Sequence, residues 1–289
     1  MKYSSEDIRK LRDKTGAGMM DCKKALDESD GNIENAVEWL RKKGINTAEK
    51  KSSRDASDGL ITVQINDISG VIIEINSETD FVARNENFQE FCDLISNLCL
   101  EEKIDSVENL LESKSNNIPV KQILTDLIAK LGENLIIKKL DYYNDSNLCF
   151  QKYVHNSVNH NSGKIGVILV YSTSNKNDEI ENFSRNLSMH IAASDPKSLE
   201  INALDPDLIN KERAIYTEQL IDSNKPQDII EKIVDGKIKK FYDQVCLLEQ
   251  FFVMDPKVKI KDVIQELNKN NNNDFKIINY YMYKLGQQD

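Results

Sequence analysis

Two short runs fix the kind of fold this chain can take. In LITVQIN, Ile61, Val63 and Ile65 sit at every second position, and in VIIEIN, Val71, Ile73 and Ile75 do the same. Successive side chains of a strand point to opposite faces, so each run reads as a β-strand with an apolar face. The tetrapeptide DISG, residues 67–70, is the turn that joins them into a hairpin. The period then changes to that of a helix. After SETDFVARN, Phe88, Phe91, Cys92, Ile95, Leu98 and Cys99 share one stripe. A second helix after Pro119 carries Val120, Ile123, Leu124, Leu127, Ile128 and Leu131, Gly132 ends it, and NLIIKKL is a strand. Hairpin, helices and strand make an α+β unit of about ninety residues, an ordinary domain size.

The pattern partly repeats. LCFQKYVH and KIGVILVYS are strands around a polar loop, and a helix follows with Ile180, Phe183, Leu187 and Ile191 on one face. Two charged helical segments, 208–221 and 227–242, flank DSNKP and predict an antiparallel, projecting helical hairpin. VCLLEQFFVMDP and a short helix with Ile260, Val263, Ile264 and Leu267 come next. The last strand, FKIINYYMYKL, puts Ile278, Tyr280 and Met282 on one face and Ile277, Tyr281 and Tyr283 on the other.

Upstream of the hairpin lies a small helical unit. Ile8 and Leu11 open one helix, which stops near KTGAG; Met19, Cys22 and Leu26 stripe a second. SDGN is turn chemistry, with Asn32 as N-cap of a third helix that carries Ile33, Ala36, Val37 and Leu40 and ends at Gly44 as its C′ residue. Three short helices with a glycine-rich first turn predict a ubiquitin-associated-like bundle, only marginally stable alone. The polar stretch TAEKKSSRDASDG reads as a tether.

Composition excludes several functions. The chain has 289 residues and a net charge of −10, which argues against nucleic acid as a main partner, since phosphate binding needs a basic face. No apolar run approaches the ~20 residues that span a bilayer, so no membrane is expected. The N-terminus lacks the apolar core of a signal peptide, and its early acids argue against a transit peptide. Five scattered cysteines without a C-x-x-C pair indicate neither a zinc site nor a disulfide framework, and fit a reducing cytoplasm.

No enzyme site emerges: phosphate-binding loops, dinucleotide glycine motifs, H-E-x-x-H and G-x-S-x-G are all missing, and no cofactor is expected. His155 and His160 flank a polar, solvated loop, and His190 beside Leu187 and Ile191 reads as a satisfied, partly buried histidine. What remains are features for touching a protein. Met20 lies off the Met19–Cys22–Leu26 stripe, either exposed for a contact or taken into the small core. Phe81 stands seven residues before Phe88. It either extends the helix stripe, with Thr79 as N-cap and Asp80 as a first-turn acid, or faces a partner.

These residues resemble a known family. LRDKTGAGMMDCKKALDESDGNIENAVEWLRKKG, residues 11–44, is similar to the N-terminal module of the translation elongation factor Ts family, and INSETDFVARNENF, residues 75–88, to its second signature. LIAKLGENLIIKKL, HIAASDP and LLEQFFVMDP follow in the same order, so the resemblance covers nearly the whole chain. It implies a non-enzymatic exchange factor for elongation factor Tu, the GTPase that carries aminoacyl-tRNA. Thr79, Asp80, Phe81 and Val82 would push into Tu's nucleotide domain and dislodge the Mg²⁺ that helps to hold GDP. Leu131 and Gly132 match positions lining that contact, Arg12, Met19 and Met20 fall in the module that grips the same domain, and His155, Val253 and Met254 match residues that meet other parts of Tu. The helical hairpin matches a region used for dimerisation or crossed 2:2 contacts in some members.

The expected organisation is a three-helix module over 1–46, a linker over 47–58, and two sheet-plus-helix subdomains over 59–141 and 142–289, the second with the hairpin inserted at about 205–243. QFF stands where many members have QPF, and the chain stops at KLGQQD, where some members continue with a further helix. A non-enzymatic scaffold using the N-terminal module for another partner is the alternative reading.

Overall fold

The computed structural model describes residues 3–221 and 226–287. The N-terminal module is α1 (Ser5–Thr15), α2 (Met19–Glu28) and α3 (Ile33–Lys51). Ser4 and Asp7 form a reciprocal cap at the start of α1: the Asp7 N–H donates to Ser4 Oγ at 3.2 Å, and the Ser4 N–H to Asp7 Oδ2 at 2.8 Å. Gly16 ends α1 in the left-handed region, at φ 67°. Leu11, Cys22, Ala25, Leu26 and Ala36 make a small fully buried core. Asn32 caps α3 as expected, its side chain accepting from the Asn35 N–H at 3.0 Å.

Gly44 does not end α3. The helix runs on through it to Lys51, taking up the first five residues of the stretch expected as a tether. Gly44 is buried where α3 crosses the helix Val120–Leu131, and a Cβ there would lie 3.6 Å from that of Ala129. Arg41 Nε donates to Gln122 Oε1 across the same crossing at 2.8 Å. A methyl group at Gly44 would sit at ordinary van der Waals distance from Ala129, so the glycine lies within a helix–helix contact by which the module sits on the core.

The core begins with β1 (Asp58–Ile65) and β2 (Ser69–Ser77), the expected antiparallel hairpin. Asn66 organises its turn, its side-chain oxygen accepting from the N–H groups of Ile68 and Ser69 at 3.0 and 2.8 Å. Next come α4 (Asp80–Ala83), α5 (Glu86–Glu102), α6 (Val107–Glu112), the two-residue strands β3 (Lys114–Ser115) and β4 (Ile118–Pro119), α7 (Val120–Leu131) and β5 (Leu135–Asn144). The second half carries β6 (Cys149–His155), β7 (Ser162–Gly163), β8 (Ile165–Ser172), α8 (Asp178–Ser194), α9 (Pro206–Glu218), α10 (Gln227–Val245), β9 (Phe251–Phe252), β10 (Asp255–Lys259), α11 (Ile260–Asn271) and β11 (Lys276–Lys284). Residues 222–225, in the DSNKP stretch between α9 and α10, lie outside the described residues.

One sheet has the order β5–β2–β1–β7 and the other β11–β8–β6. Their side chains sort into three cores. Val71, Ile73 and Ile75 pack with Phe88, Phe91 and Ile95 of α5 and Leu127 and Ile128 of α7. Val167, Leu169 and Tyr171 of β8 pack with Phe183, Leu187 and Ile191 of α8 and with Ile260 and Leu267 of α11. Ile61, Val63, Ile72, Ile168, Val170 and Tyr283 fill the space between the sheets. The result is four layers, helix–sheet–sheet–helix, around central strands buried on both faces. The α+β class stands. The sheets meet closely at Gly166, where a Cβ would come within 2.5 Å of Val63 Cγ2 and 2.6 Å of Ile61 Cγ2.

Two expectations need correction. The polar loop before β8 is not merely solvated: Ser162 and Gly163 return as β7 on the edge of β1, and Ser162 Oγ lies 2.8 Å from Thr62 Oγ1 in a buried pair. In β11 the alternation breaks at a bulge between Ile277 and Asn279. Ile277 therefore shares the α8 side with Tyr280 and Met282, while Ile278 joins Tyr281 and Tyr283 between the sheets.

Candidate partner-binding site

SETDFVARN folds as one helical turn and a break. Thr79 occupies the N-cap position of α4, but its hydroxyl makes no cap bond; it donates to Glu133 Oε1 at 2.7 Å. The Arg84–Asn85 step interrupts the helix, and Asn85 caps α5 anew by accepting from the Asn87 N–H at 3.0 Å. The break removes Phe81 from the stripe of Phe88. Phe81 is 79% exposed, whereas its neighbour Val82 is turned into the core at 7%. Of the four residues expected to act together, Val82 is thus the anchor, and Phe81 projects beside Asp80, which forms an exposed pair with Arg84 at 3.6 Å.

Two acids that sequence reasoning passed over hold this turn against the end of α7. Glu133 receives both the N–H and the hydroxyl of Thr79, and Glu78 receives the Asn134 N–H at 2.7 Å. The backbone bond from Asn134 holds the Glu78 carboxyl below the usual carboxylate range against a smaller opposing effect of burial, and the Arg54 guanidinium adds to it. Ser77 Oγ also donates to the Thr79 carbonyl, at 2.9 Å. This reciprocal lashing ties the residues just before Asp80 and Phe81 to those just after Leu131 and Gly132. Gly132 has φ 76° and caps α7, and its carbonyl accepts from Lys51 at the end of α3. In the sequence both acids lie inside motifs, Glu78 in SETDFVARN and Glu133 in LIAKLGENLIIKKL, with nothing local to mark their pairing.

The N-terminal module reaches the same corner. A Cβ at Gly16 would lie 3.5 Å from the Lys130 side chain, and Lys130 donates to Asn87 in the first turn of α5. Arg12, Met19 and Met20 are all exposed around that turn, Met20 at 74%, so the reading that the small core takes both methionines is set aside. His155 is exposed at the end of β6, its Nδ1 3.1 Å from the Tyr153 hydroxyl. The loop that follows is tied to α5, Asn159 donating to Gln89 and Asn161 to Asp93, at 3.3 and 3.0 Å.

Val253 and Met254 form the turn between β9 and β10 and are about half exposed, as is Phe251, which sequence reasoning did not single out. Behind the turn Glu249 accepts from Lys259 and Lys261 at 2.8–2.9 Å. Burial works against its charge, but these bonds outweigh that and hold the carboxyl below the ordinary range. His190 is buried and hydrogen-bonded, as expected.

No cluster of His, Cys, Asp or Glu suited to a metal occurs among the described residues. Burial pushes the Cys92 and Cys99 thiols up to about 12, so neither serves as a nucleophile. Among the described residues no helix is long and apolar enough to cross a membrane. The arrangement presents exposed side chains on lashed supports.

Residues 78–287 match the family model described as Elongation factor TS. The chain is 40% identical to Elongation factor Ts of Rickettsia felis and 41% identical to that of Rickettsia bellii, in each case over 99% of this chain and 93% of the relative. Elongation factor Ts of Rhodospirillum centenum is 40% identical over 99% of this chain and 94% of its own length. On this similarity along its whole length, the chain belongs to the elongation factor Ts family.

Proposed function

We propose that this protein is the guanine-nucleotide exchange factor of elongation factor Tu, acting in the cytoplasm. It binds the GDP complex of Tu, inserts the α4 turn near the nucleotide, and favours a conformation of Tu that has lost Mg²⁺ and holds GDP poorly. The observation that carries this reading is the exposure of Phe81 on a turn whose flanking residues are buried or bonded.

An exchange factor needs no covalent chemistry. It needs contacts that differ between two states of its partner, since a ligand with equal affinity for both shifts nothing. By linkage, if the factor weakens GDP binding, GDP weakens factor binding by the same ratio. Mg²⁺ bridges phosphate oxygens, so its loss leaves phosphate charge less compensated. A carboxylate and a ring on a braced turn are suited to bring that loss about. Asp80 competes for positive partners near the phosphates, and Phe81 wedges apart apolar packing. Val82 and Thr79 hold the wedge. Arg12, Met19 and Met20 grip the same domain of Tu, with Leu131 and Gly132 lining the contact. His155 and the turn with Val253 and Met254 meet other surfaces of Tu. The α9–α10 pair, with Ile215 and Ile229 partly exposed, supports a further proposal of pairing between two copies in a 2:2 complex, which sedimentation would test.

The test is release of fluorescent GDP from the cognate Tu. Micromolar protein should accelerate it, and Phe81→Ala or Asp80→Ala should slow the accelerated rate while the fold survives. Normal stimulated release by both variants would falsify this assignment of roles.

A further inference from the structure

His190 grips the turn that displays Phe251, Val253 and Met254. The histidine lies on α8 and is 1% exposed. Its Nδ1 accepts from the Val253 N–H at 3.2 Å, and its Nε2 lies 2.9 Å from Gln250 Oε1. Because Nδ1 is occupied as an acceptor, the ring proton sits on Nε2, which donates to Gln250. Gln250 passes the link on, its own Nε2 donating to the Gln244 carbonyl at the end of α10, at 2.7 Å. The Phe252 ring packs beside the imidazole, with centroids 6.0 Å apart. The turn is therefore held on both sides of Phe251 and Phe252, by one side chain reaching out of a rigid helix.

We propose that His190 is a positioning residue for the partner contact: it holds the backbone between Gln250 and Val253 so that Val253 and Met254 stand ready in their docking conformation. The proposal rests on the reading that Val253 and Met254 touch elongation factor Tu. A turn ordered before binding loses less conformational freedom on association, so affinity follows the integrity of the grip. The groups the ring touches, Gln250, Phe252 and Val253, carry no charge. The ion pairs Lys259–Asp243, Lys259–Glu249 and Lys261–Glu249 brace the same turn from β10 and α11. Burial pushes the His190 pKa below its ordinary value, against a smaller opposing effect of the Gln250 bond, which keeps Nδ1 free to accept.

The test compares binding of the cognate Tu–GDP complex by wild type, His190→Phe, His190→Asn and Val253→Asp. His190→Phe keeps a ring without nitrogens and is expected to bind about tenfold more weakly, the scale of re-ordering one freed backbone residue on association. His190→Asn sets a carboxamide oxygen near the place of Nδ1 and should recover affinity to within about threefold of wild type. Amide exchange at Val253 should quicken in His190→Phe while α8 keeps its protection. If His190→Phe binds like wild type while Val253→Asp does not, the proposal is overturned. The same holds if His190→Asn is no better than His190→Phe, or if protection is lost along all of α8. Wild-type affinity in Val253→Asp would instead overturn the reading of the turn as a contact, and the proposal with it.

Discussion

Phe81 and Val82 are neighbours with opposite environments, and replacing each with alanine separates binding from stability. In the free protein Phe81 is 79% exposed, so only about a fifth of its side chain is withdrawn from water. Full burial of a phenylalanine contributes about 1.5–3 kcal/mol, so the covered fifth contributes about 0.3–0.6 kcal/mol. For a chain of this size that corresponds to a drop in Tm of about 1–2 °C. The exposed four fifths, once covered by Tu, would contribute about 1.2–2.4 kcal/mol, a factor of about seven to fifty. Phe81→Ala should therefore lower the second-order rate constant for stimulated GDP release by that factor and leave the melting curve nearly in place. Val82 is 7% exposed within the core of α5 and α7. Val82→Ala removes the equivalent of two methylenes and leaves a small cavity, at about 1.5–2.5 kcal/mol, and should lower Tm by about 4–8 °C. Stopped-flow release of fluorescent GDP from Tu and thermal melting read the two quantities. The reasoning fails if Phe81→Ala melts as early as Val82→Ala, or if it slows release by less than about twofold.

Other substitutions probe the supports. Gly44 lies inside α3 with room for a methyl group against Ala129, so Gly44→Ala should stabilise by about 0.5–1 kcal/mol; a lower Tm would refute the reading of that crossing. Gly166→Ala forces a methyl group into Val63 and Ile61 between the sheets and should cost about 1–3 kcal/mol, seen as a lower urea midpoint with an unchanged slope. Burial lowers the folded pKa of His190 below its ordinary 6.5, so as pH falls the unfolded chain takes up the proton first. The stability from neutral His190 is complete above pH 6.5 and is lost as pH falls from there through the folded pKa. Urea midpoints at several pH values should show this loss in wild type, and His190→Asn should lack that part of the slope.

Much of the fold could be read in the sequence because it is written in local periods. The β1–β2 hairpin, the α5 and α7 stripes and the caps at Asn32 and Gly132 each depend on residues within a few positions. The misses are long-range or break a period. Gly44 looks like a stop signal in isolation, and its role inside α3 is set by α7, to which Arg41 bonds across 81 positions. The spacing of Phe81 and Phe88 fits one helical face, but Asn85 caps a new helix between them and rotates Phe81 outward. The bulge near Ile278 shifts β11 by one residue and exchanges the faces of Ile277 and Ile278. At the site, Asp80 and Phe81 could be picked out from the sequence, whereas Glu78 and Glu133, in the same motifs, could not, because each acts on the other's loop.

The burial of both faces of the central strands has a consequence for how the protein is made. Tyr281 and Tyr283, from the last strand, help to seal the space between the sheets against Ile61, Val63 and Ile72 of the first hairpin. During synthesis that hairpin emerges about two hundred residues before the strand that finishes its cover. Until β11 leaves the ribosome, the inner face of the first sheet is covered only in part, by Phe150, Ile168 and Val170, and closing the rest requires one of the longest-range contacts in the chain. Folding of the two halves is thus coupled at its final step, and a nascent chain stalled before Lys276 would be a client for chaperones rather than a smaller working factor.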